Sequence, residues 1–328
     1  MNYKINKFSK YLYFSCLVLL ISSCGEGTKT TDNTVIALDK PIVQAPIFNQ
    51  DSAYNFIEKQ VSFGPRIPNT PAQLKCAEYL VNSLKRFNTK VTEQDFQVKA
   101  YDGKMLRSKN IIASINPSAT KRILLGAHWD TRPWSDEDRK NPDKTFDGAN
   151  DGGSGVGILM EIARTINCAE KKPAVGIDII LFDSEDYGKS DHQDSYCLGA
   201  QYWAKNKHVA NYSAYYGILL DMAGAKNAKF SKEGTSMEYA PSIVNKVWDQ
   251  AAALGFNQYF IPQTTSGLTD DHLYVNKIGK IPMIDIIEYN TGSGFGDYWH
   301  TQNDNMQVID KNTLKAVGQT LLQVLYNE

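Results

Sequence analysis

The apolar run Ile179-Ile180-Leu181-Phe182 leads directly into Asp183-Ser184-Glu185-Asp186, and this junction of a buried segment with three acids indicates both the fold class and the place of a site. The apolar part has the length of a strand, and it is continuous rather than alternating, which is typical of a strand buried on both faces. Such strands occur in parallel sheets covered by helices on both sides. In these sheets ligands bind beyond the carboxyl ends of the strands, which is where the acids fall.

Similar apolar runs recur along the chain and predict strands at 109–115, 122–127, 176–182, 216–220 and 281–287. Helical patterns fall around them, at 51–60, 73–87, 156–166, 242–254 and 312–325. This alternation predicts an α/β fold in which a central, mostly parallel twisted sheet is flanked by helices. We find neither a repeat nor an internal linker, so these elements form a single domain.

The composition excludes several classes of protein. Of the 328 residues, 42% are hydrophobic and 22% are charged, which excludes a wholly disordered chain and a multispanning membrane protein. The formal net charge is -1, from 35 Lys and Arg against 36 Asp and Glu. The chain therefore lacks the excess of positive charge that would indicate a nucleic acid partner.

The beginning of the chain has the pattern of an export signal. Three lysines among the first ten residues precede an apolar run from 11 to 21, which is too short to span a bilayer as a helix. The run ends in Ile21-Ser22-Ser23-Cys24, which resembles a bacterial lipobox, where cleavage precedes the cysteine and lipid is attached to it. The alternatives are a plain secretory signal and a chance cysteine.

This pattern divides the chain into a lipoprotein-type signal peptide at 1–23, a flexible polar tether at 24–46 and a folded domain at 47–328. It predicts an exported protein in the bacterial envelope, in the periplasm or at the outer membrane. The lipid on Cys24 would be its only contact with the membrane.

Three cysteines belong to the folded domain, namely Cys76, Cys168 and Cys197. Their odd number allows at most one disulfide and leaves at least one free thiol. None has a histidine or a second cysteine at metal-ligand spacing, so all three are interpreted as packing residues.

Acids and histidines follow the predicted strands or lie in later loops. They are His128, Asp130, Asp151, Glu185, Asp186, Asp221, Asp270 and His300. Taken singly, each has an ordinary explanation, such as a helix N-cap for Asp151 or a solvated pair for Glu185 and Asp186. If several carboxylates lie close together at the same edge of the sheet, they repel one another unless a cation or bound protons neutralise them. Because zinc accepts oxygen and nitrogen ligands and leaves one position open in catalytic sites, the set predicts a zinc site.

The order and spacing of these residues resemble the M28 zinc-peptidase superfamily, whose fold is that of zinc aminopeptidases. The motifs that carry this resemblance are His128-x-Asp130, Gly148-Ala149-Asn150-Asp151, Glu185-Asp186, Asp221 and His300. It extends over the folded domain.

A narrower resemblance is to the glutaminyl-peptide cyclotransferases (glutaminyl cyclases) of the animal type, and among these to bacterial lipoproteins. It is carried by the segment 218–225, Thr269-Asp270-Asp271-His272, Trp299-His300-Thr301, Phe63-Gly64-Pro65-Arg66 and the lipobox. It implies that 47–328 is a zinc-dependent cyclotransferase catalytic domain.

The family binds one zinc through an Asp, an acidic residue and a His, which implies Asp151, Asp186 and His300 as ligands here. Glu185 would then be the general acid/base. The animal enzymes have a Glu-Glu pair where this chain has Glu185-Asp186, and the shorter Asp still offers a carboxylate for the same role.

The resemblance also implies roles for residues around the zinc. Asp221 and Asp270 would form a supporting acid network that holds a proton or binds the substrate amine. Trp299 and Phe295 would line the pocket for the glutamine side chain, with ordinary loop packing as the alternative. His128 would be retained without binding a second zinc.

The implied activity converts the N-terminal glutamine of peptides and proteins to pyroglutamate and releases ammonia. The alternative is an M28-type zinc aminopeptidase, which would use His128 and a bridging Asp151 to hold a second metal. A third possibility, a lipid-anchored binding protein, has no use for Glu185 beside a metal ligand. About one zinc per chain favours the cyclase, two favour the peptidase and none favours the binding protein.

Overall fold

The computed structural model describes residues 43–192 and 194–328. In chain order, the elements of these ranges are α1 (Gln50–Val61), α2 (Pro71–Arg86), β1 (Lys90–Lys99), β2 (Met105–Ile115), β3 (Arg122–His128), α3 (Gly153–Cys168), β4 (Gly176–Phe182), α4 (Leu198–Lys205), β5 (Tyr216–Asp221), β6 (Phe230–Lys232), α5 (Gly234–Tyr239), α6 (Pro241–Ala253), β7 (Phe260–Thr264), α7 (Asp271–Lys277), β8 (Met283–Ile287) and α8 (Lys311–Asn327).

The main sheet has six strands in the order β1-β2-β4-β3-β5-β8. β4, β3, β5 and β8 are parallel, whereas β2 is antiparallel to both β1 and β4. β6 and β7 form a separate parallel pair. The predicted single α/β domain is confirmed, and its sheet is mixed because of the antiparallel strands at one edge.

Helices cover both faces of the sheet. Successive side chains of a strand point to opposite faces, so each strand packs against helices on both sides. In β3, Leu125 belongs to the core that contains residues of α1, α3 and α8. The next side chain, Leu124, belongs to the core that contains residues of α4 and α7. Because both faces of the strand are buried, both sets of side chains must be apolar. This explains the continuous apolar runs of the sequence.

The five predicted strands correspond to β2, β3, β4, β5 and β8, and the five predicted helices to α1, α2, α3, α6 and α8, with ends that differ by a few residues. The sequence does not reveal β1, because this edge strand buries only Phe96 and is otherwise polar. Short elements such as α4, α5 and α7 also lack a pattern long enough to be recognised.

The last residues of the predicted tether contact α8. Gln323 donates through Nε2 to the carbonyl oxygen of Val43 at 2.8 Å, and its Oε1 accepts from the backbone of Ala45 at 3.1 Å. Ala45 is buried. The chain is therefore part of the folded body from Val43 onward. The predicted signal peptide and the earlier part of the tether lie outside the described residues.

The three cysteines of the domain are free, so no disulfide forms within the described part of the chain. Cys76 and Cys197 are buried, whereas Cys168 is exposed. The interpretation of Cys168 as a packing residue was wrong, because it ends α3 at the surface. Within residues 43–192 and 194–328, no helix is long and apolar enough to cross a membrane.

The start of α3 packs unusually close to the end of β5. A Cβ atom at Gly155 would lie 2.3 Å from the carbonyl oxygen of Leu220 and 3.0 Å from the Cβ of Ala127. Only glycine permits this approach, which brings the loop before α3 to the end of the sheet.

We expect Gly155→Ala to lower the free energy of unfolding by about 1–3 kcal/mol, because the added methyl group overpacks the contact with β5. Urea unfolding measures the change. Asn82→Ala, at an exposed position of α2, is the control and should not destabilise the protein, since alanine favours helix. Equal stability of the Gly155→Ala variant and the parent would contradict the close packing.

Candidate active site

The candidate site lies at the sheet edge where the four parallel strands end. His128 ends β3 and pairs with Phe182 of β4, and Asp221 ends β5 and pairs with Ile287 of β8. The segment 183–186 continues directly from β4. The register of the sheet therefore brings these acids and the histidine together, as the sequence predicts.

Asp151 approaches the same edge from the loop between β3 and α3. Asp304 accepts hydrogen bonds from the backbone of Asn150 at 2.7 Å and of Asp151 at 3.1 Å. The fully buried Arg66 donates to two carbonyl oxygens of the same loop. The N-cap of α3 is Gly152, so Asp151 is not a cap and its side chain is available to the site.

Asp151, Asp186 and His300 bring three potential ligand atoms together. His300 Nε2 lies 3.4 Å from Asp186 Oδ1 and 3.7 Å from Asp151 Oδ2. Two ligands of a tetrahedral zinc at usual bond lengths are about 3.4 Å apart, which is close to both spacings. All three residues are buried, and Asp186 Oδ2 has no hydrogen-bond partner. Two carboxylates and an imidazole fit a catalytic zinc with one open position.

A second group of acids and histidine shares Asp151. His128 Nε2 lies 3.0 Å from Asp151 Oδ1 and 3.1 Å from Asp221 Oδ1. These are hydrogen-bond distances, shorter than the usual separation of two zinc ligands. Burial by itself would lower the pKa of His128, but the neighbouring carboxylates of Asp130, Asp151 and Asp221 raise it well above its usual range. His128 therefore pairs directly with the carboxylates.

Glu185 lies beside the potential ligands. Its Oε1 accepts a hydrogen bond from Cys197 Sγ at 3.2 Å, and its Oε2 is 4.0 Å from His128 Nδ1, too far for a hydrogen bond. Burial raises the pKa of Glu185 well above its usual range, and the charges of Asp186 and Asp270 add to this effect although His128 opposes it. A carboxyl group with a raised pKa suits a general acid/base at neutral pH.

The three potential ligands, Glu185 and Asp221 open onto one cavity of about 230 Å³. Its lining residues are Asp151, Glu185, Asp186, Tyr196, Asp221, Met222, Leu268, Thr269, Asp270, Ile287, Phe295, Trp299 and His300. They include the three metal ligands, the three acids and the two aromatic residues that the sequence predicts. The structure thus brings all eight candidate residues together.

Trp299 and Phe295 form an aromatic wall of the cavity. Their ring centroids are 4.5 Å apart, and the ring of Trp299 stacks on His300 with a centroid separation of 3.8 Å. Both residues are only partly buried, so they retain surface that faces the cavity. This position fits the predicted contact with an apolar part of a substrate.

Three supporting residues were missed by the sequence interpretation. Cys197, interpreted as a packing residue, donates a hydrogen bond to Glu185. Arg66 and Asp304 hold the loop that carries Asp151. No local pattern marks these roles, although Arg66 lies within one of the motifs that carry the resemblance.

The fold and the site define the class of the protein. The model of Peptidase family M28 matches residues 110–325, and the chain belongs to this family.

Within this class, the chain is similar to glutaminyl cyclases. The glutaminyl cyclase of Porphyromonas gingivalis is 53% identical, covers 86% of this chain and 99% of its own, and has a TM-score of 0.84. A Zn-dependent exopeptidase from Parabacteroides distasonis is also 53% identical, with coverage of 87% and 100% and a TM-score of 0.84. The glutaminyl-peptide cyclotransferase of Bos taurus is 23% identical over an alignment of 295 positions that covers 80% of this chain and 78% of the relative.

The two roles of the acid pair can be separated by mutation. We expect Glu185→Gln to retain zinc and to lower kcat by about 10²–10⁴-fold, because only the proton transfer is removed. His300→Ala should instead lose the metal. Metal analysis and steady-state kinetics of both variants check this. Zinc loss in Glu185→Gln would mean that Glu185 and Asp186 have the opposite roles, and full zinc in His300→Ala would contradict the ligand set.

Proposed function

We propose that this protein is a glutaminyl-peptide cyclotransferase, which converts an N-terminal glutamine to pyroglutamate and releases ammonia. The observation that carries the proposal is the convergence of Glu185, the three potential zinc ligands and an aromatic wall on one small cavity. The glutaminyl cyclase of Porphyromonas gingivalis, 53% identical over 86% of this chain, supports it.

We propose that each chain binds one zinc, and that its ligands are Asp151, Asp186 and His300. The ligand spacings of 3.4 Å and 3.7 Å support this set. The shorter contacts of His128 with Asp151 and Asp221 support hydrogen bonds rather than a second ion. When bound, zinc supplies a Lewis acid for the γ-carbonyl oxygen of the substrate glutamine.

Glu185 moves the proton in this reaction. Its Oε2 takes a proton from the α-amine as the amine nitrogen attacks the γ-carbonyl carbon and closes a five-membered lactam. The carbon–nitrogen bond of the side-chain amide then breaks, and Glu185 returns the proton to the departing nitrogen, which leaves as ammonia. The hydrogen bond from Cys197 to Oε1 leaves Oε2 to face the reacting groups.

The other cavity residues bind and orient the substrate. Asp221 and Asp270 provide carboxylate oxygens for hydrogen bonds to the α-amine, and Asp221 is itself held by its contact with His128 at 3.1 Å. Trp299 and Phe295 pack against the methylene groups of the glutamine side chain and exclude water. Because the attack is intramolecular, holding the amine nitrogen close to the γ-carbonyl carbon removes a large part of the activation barrier.

An M28-type aminopeptidase is the second candidate function. One observation favours it: His128 and Asp221 form a second group of potential ligands that shares Asp151. The Zn-dependent exopeptidase from Parabacteroides distasonis is as similar to this chain as the glutaminyl cyclase is. In this reaction water would be the nucleophile, and the first residue of the substrate would be released.

Mass spectrometry of a short peptide that begins with glutamine distinguishes the two functions. We expect the incubated peptide to lose one ammonia and to keep its full length. A peptide with an acetylated N-terminus should not react, because its nitrogen cannot attack, and the Glu185→Gln variant is the matched inactive enzyme. Release of the whole first residue would contradict the cyclotransferase and favour the aminopeptidase.

We also propose that the protein is an exported lipoprotein, anchored to the bacterial envelope by lipid on Cys24. The lipobox-like sequence from Ile21 to Cys24 and the preceding basic and apolar segments support this. The anchor would hold the folded body, which starts by Val43, outside the cytoplasm, in the periplasm or at the outer membrane.

We expect Cys24→Ala to move the protein from the membrane fraction to the soluble fraction or to leave it unprocessed, since no lipid can be attached. Cell fractionation followed by immunoblotting measures the distribution. Cys168→Ala, at an exposed position of the folded domain, is the matched cysteine control and should remain in the membrane fraction. Wild-type protein found only in soluble fractions would contradict the anchor.

A further inference from the structure

The segment 132–137, which lies in the loop after β3, contacts two of the proposed zinc ligands, although none of its own residues lines the cavity. The segment begins with Arg132, which is 2% exposed. Arg132 Nη1 donates to the carbonyl oxygen of Asp186 at 3.0 Å, to Asp186 Oδ1 at 3.3 Å and to the carbonyl oxygen of Gly188 at 3.1 Å. One buried cation therefore holds both the backbone and the carboxylate of this ligand.

The remaining nitrogens of Arg132 bind Asp136. Nε donates to Asp136 Oδ1 at 2.8 Å, and Nη2 donates to Oδ2 at 2.6 Å. This paired geometry requires the planar fork of a guanidinium. A lysine at the position has one nitrogen and cannot bind Asp136 and Asp186 in the same way.

Asp136 in turn contacts the second ligand. Its Oδ1 lies 3.1 Å from His300 Nδ1, on the side of the ring opposite the potential metal ligands. A carboxylate at Nδ1 fixes the proton there and leaves Nε2 free to bind a metal. The backbone of Glu137 also donates to the carbonyl oxygen of His300 at 3.2 Å. His300 has a φ of 52°, a conformation that needs such support in a residue other than glycine.

We propose that Arg132 and Asp136 act as one positioning unit that links the ligands Asp186 and His300 and determines the affinity for zinc. The two ligands come from separate segments, one after β4 and the other before α8. The unit joins them through a continuous series of contacts. Arg132 donates hydrogen bonds to Asp186 and Asp136, and Asp136 Oδ1 lies 3.1 Å from His300 Nδ1. This inference rests on the ligand set given under the proposed function.

The test measures the zinc Kd of the full chain, purified in detergent, by competition with a chromophoric chelator. We expect Asp136→Ala to raise the Kd by about 10–100-fold, because His300 loses its orientation. Asp136→Asn should rescue part of this loss, since its amide oxygen still accepts from Nδ1. Arg132→Lys should also weaken binding. Because both residues act as one unit, their combined effect in a double variant should be smaller than the sum of the two single effects.

Cobalt(II) in place of zinc provides a readout that is independent of activity. We expect the visible absorption bands of the cobalt-loaded Asp136→Ala variant to shift, because the bands report ligand geometry. An unchanged spectrum together with an unchanged Kd in Asp136→Ala, or fully additive effects in the double variant, would overturn the inference.

The chain offers a matched control at the opposite end of β3. Arg122 binds Asp178 through the same two nitrogens, at 2.6 Å and 2.7 Å. Asp178→Asn should lower the Tm without changing the zinc Kd, since this pair contacts no proposed ligand. If Asp178→Asn weakened zinc binding as much as Asp136→Asn, the loss of zinc affinity would reflect a general loss of stability, and the inference would be overturned. If zinc binding by His300→Ala equalled that of the wild type, the ligand set itself would fail, which is a separate outcome.

Discussion

Carboxylates buried side by side repel one another and lose their hydration, so a fold that gathers them must supply cations, protons or hydrogen-bond donors. Glu185, Asp186 and Asp221 meet in one small cavity because parallel strands end at the same edge of the sheet. Asp130 receives hydrogen bonds from the backbone of both Glu185 and Asp186, at 3.0 Å and 3.3 Å. His128, Arg132 and the proposed zinc supply the opposing positive charge. Much of the structure around the site is explained by this single requirement.

The backbone at the site is held in uncommon conformations. Ser184, Met222 and His300 have φ values of 59°, 44° and 52°. Each is itself a site residue or adjoins one, and such conformations cost roughly 1–2 kcal/mol each outside glycine. Surrounding hydrogen bonds maintain them, such as those from Leu198 to Ser184 at 3.1 Å and from Glu137 to His300 at 3.2 Å. The fold thus stores strain where precise side-chain directions are needed.

The sequence predicts the sheet and the lining of the cavity better than it predicts what holds the lining in place. Buried strands such as β4 are visible because burial on both faces demands local runs of apolar residues. Glu185 and Asp186 follow β4 directly and Asp221 ends β5, and the order of the site residues along the chain carries the family resemblance. The support given by Arg132 or Cys197 depends on contacts formed only after folding, between segments far apart in the chain. The edge strand β1 escapes detection for a related reason, since its polar surface has no hydrophobic pattern.

The size of the cavity limits how much of a peptide this enzyme can recognise. At about 230 Å³ it is smaller than the usual pockets for drug-sized ligands, which measure roughly 300–1,000 Å³. It has room for one terminal side chain, and the following residues of a peptide must extend outward into water. Selectivity is therefore concentrated in the first residue of the peptide, and a longer chain can react only when a glutamine stands at its free N-terminus.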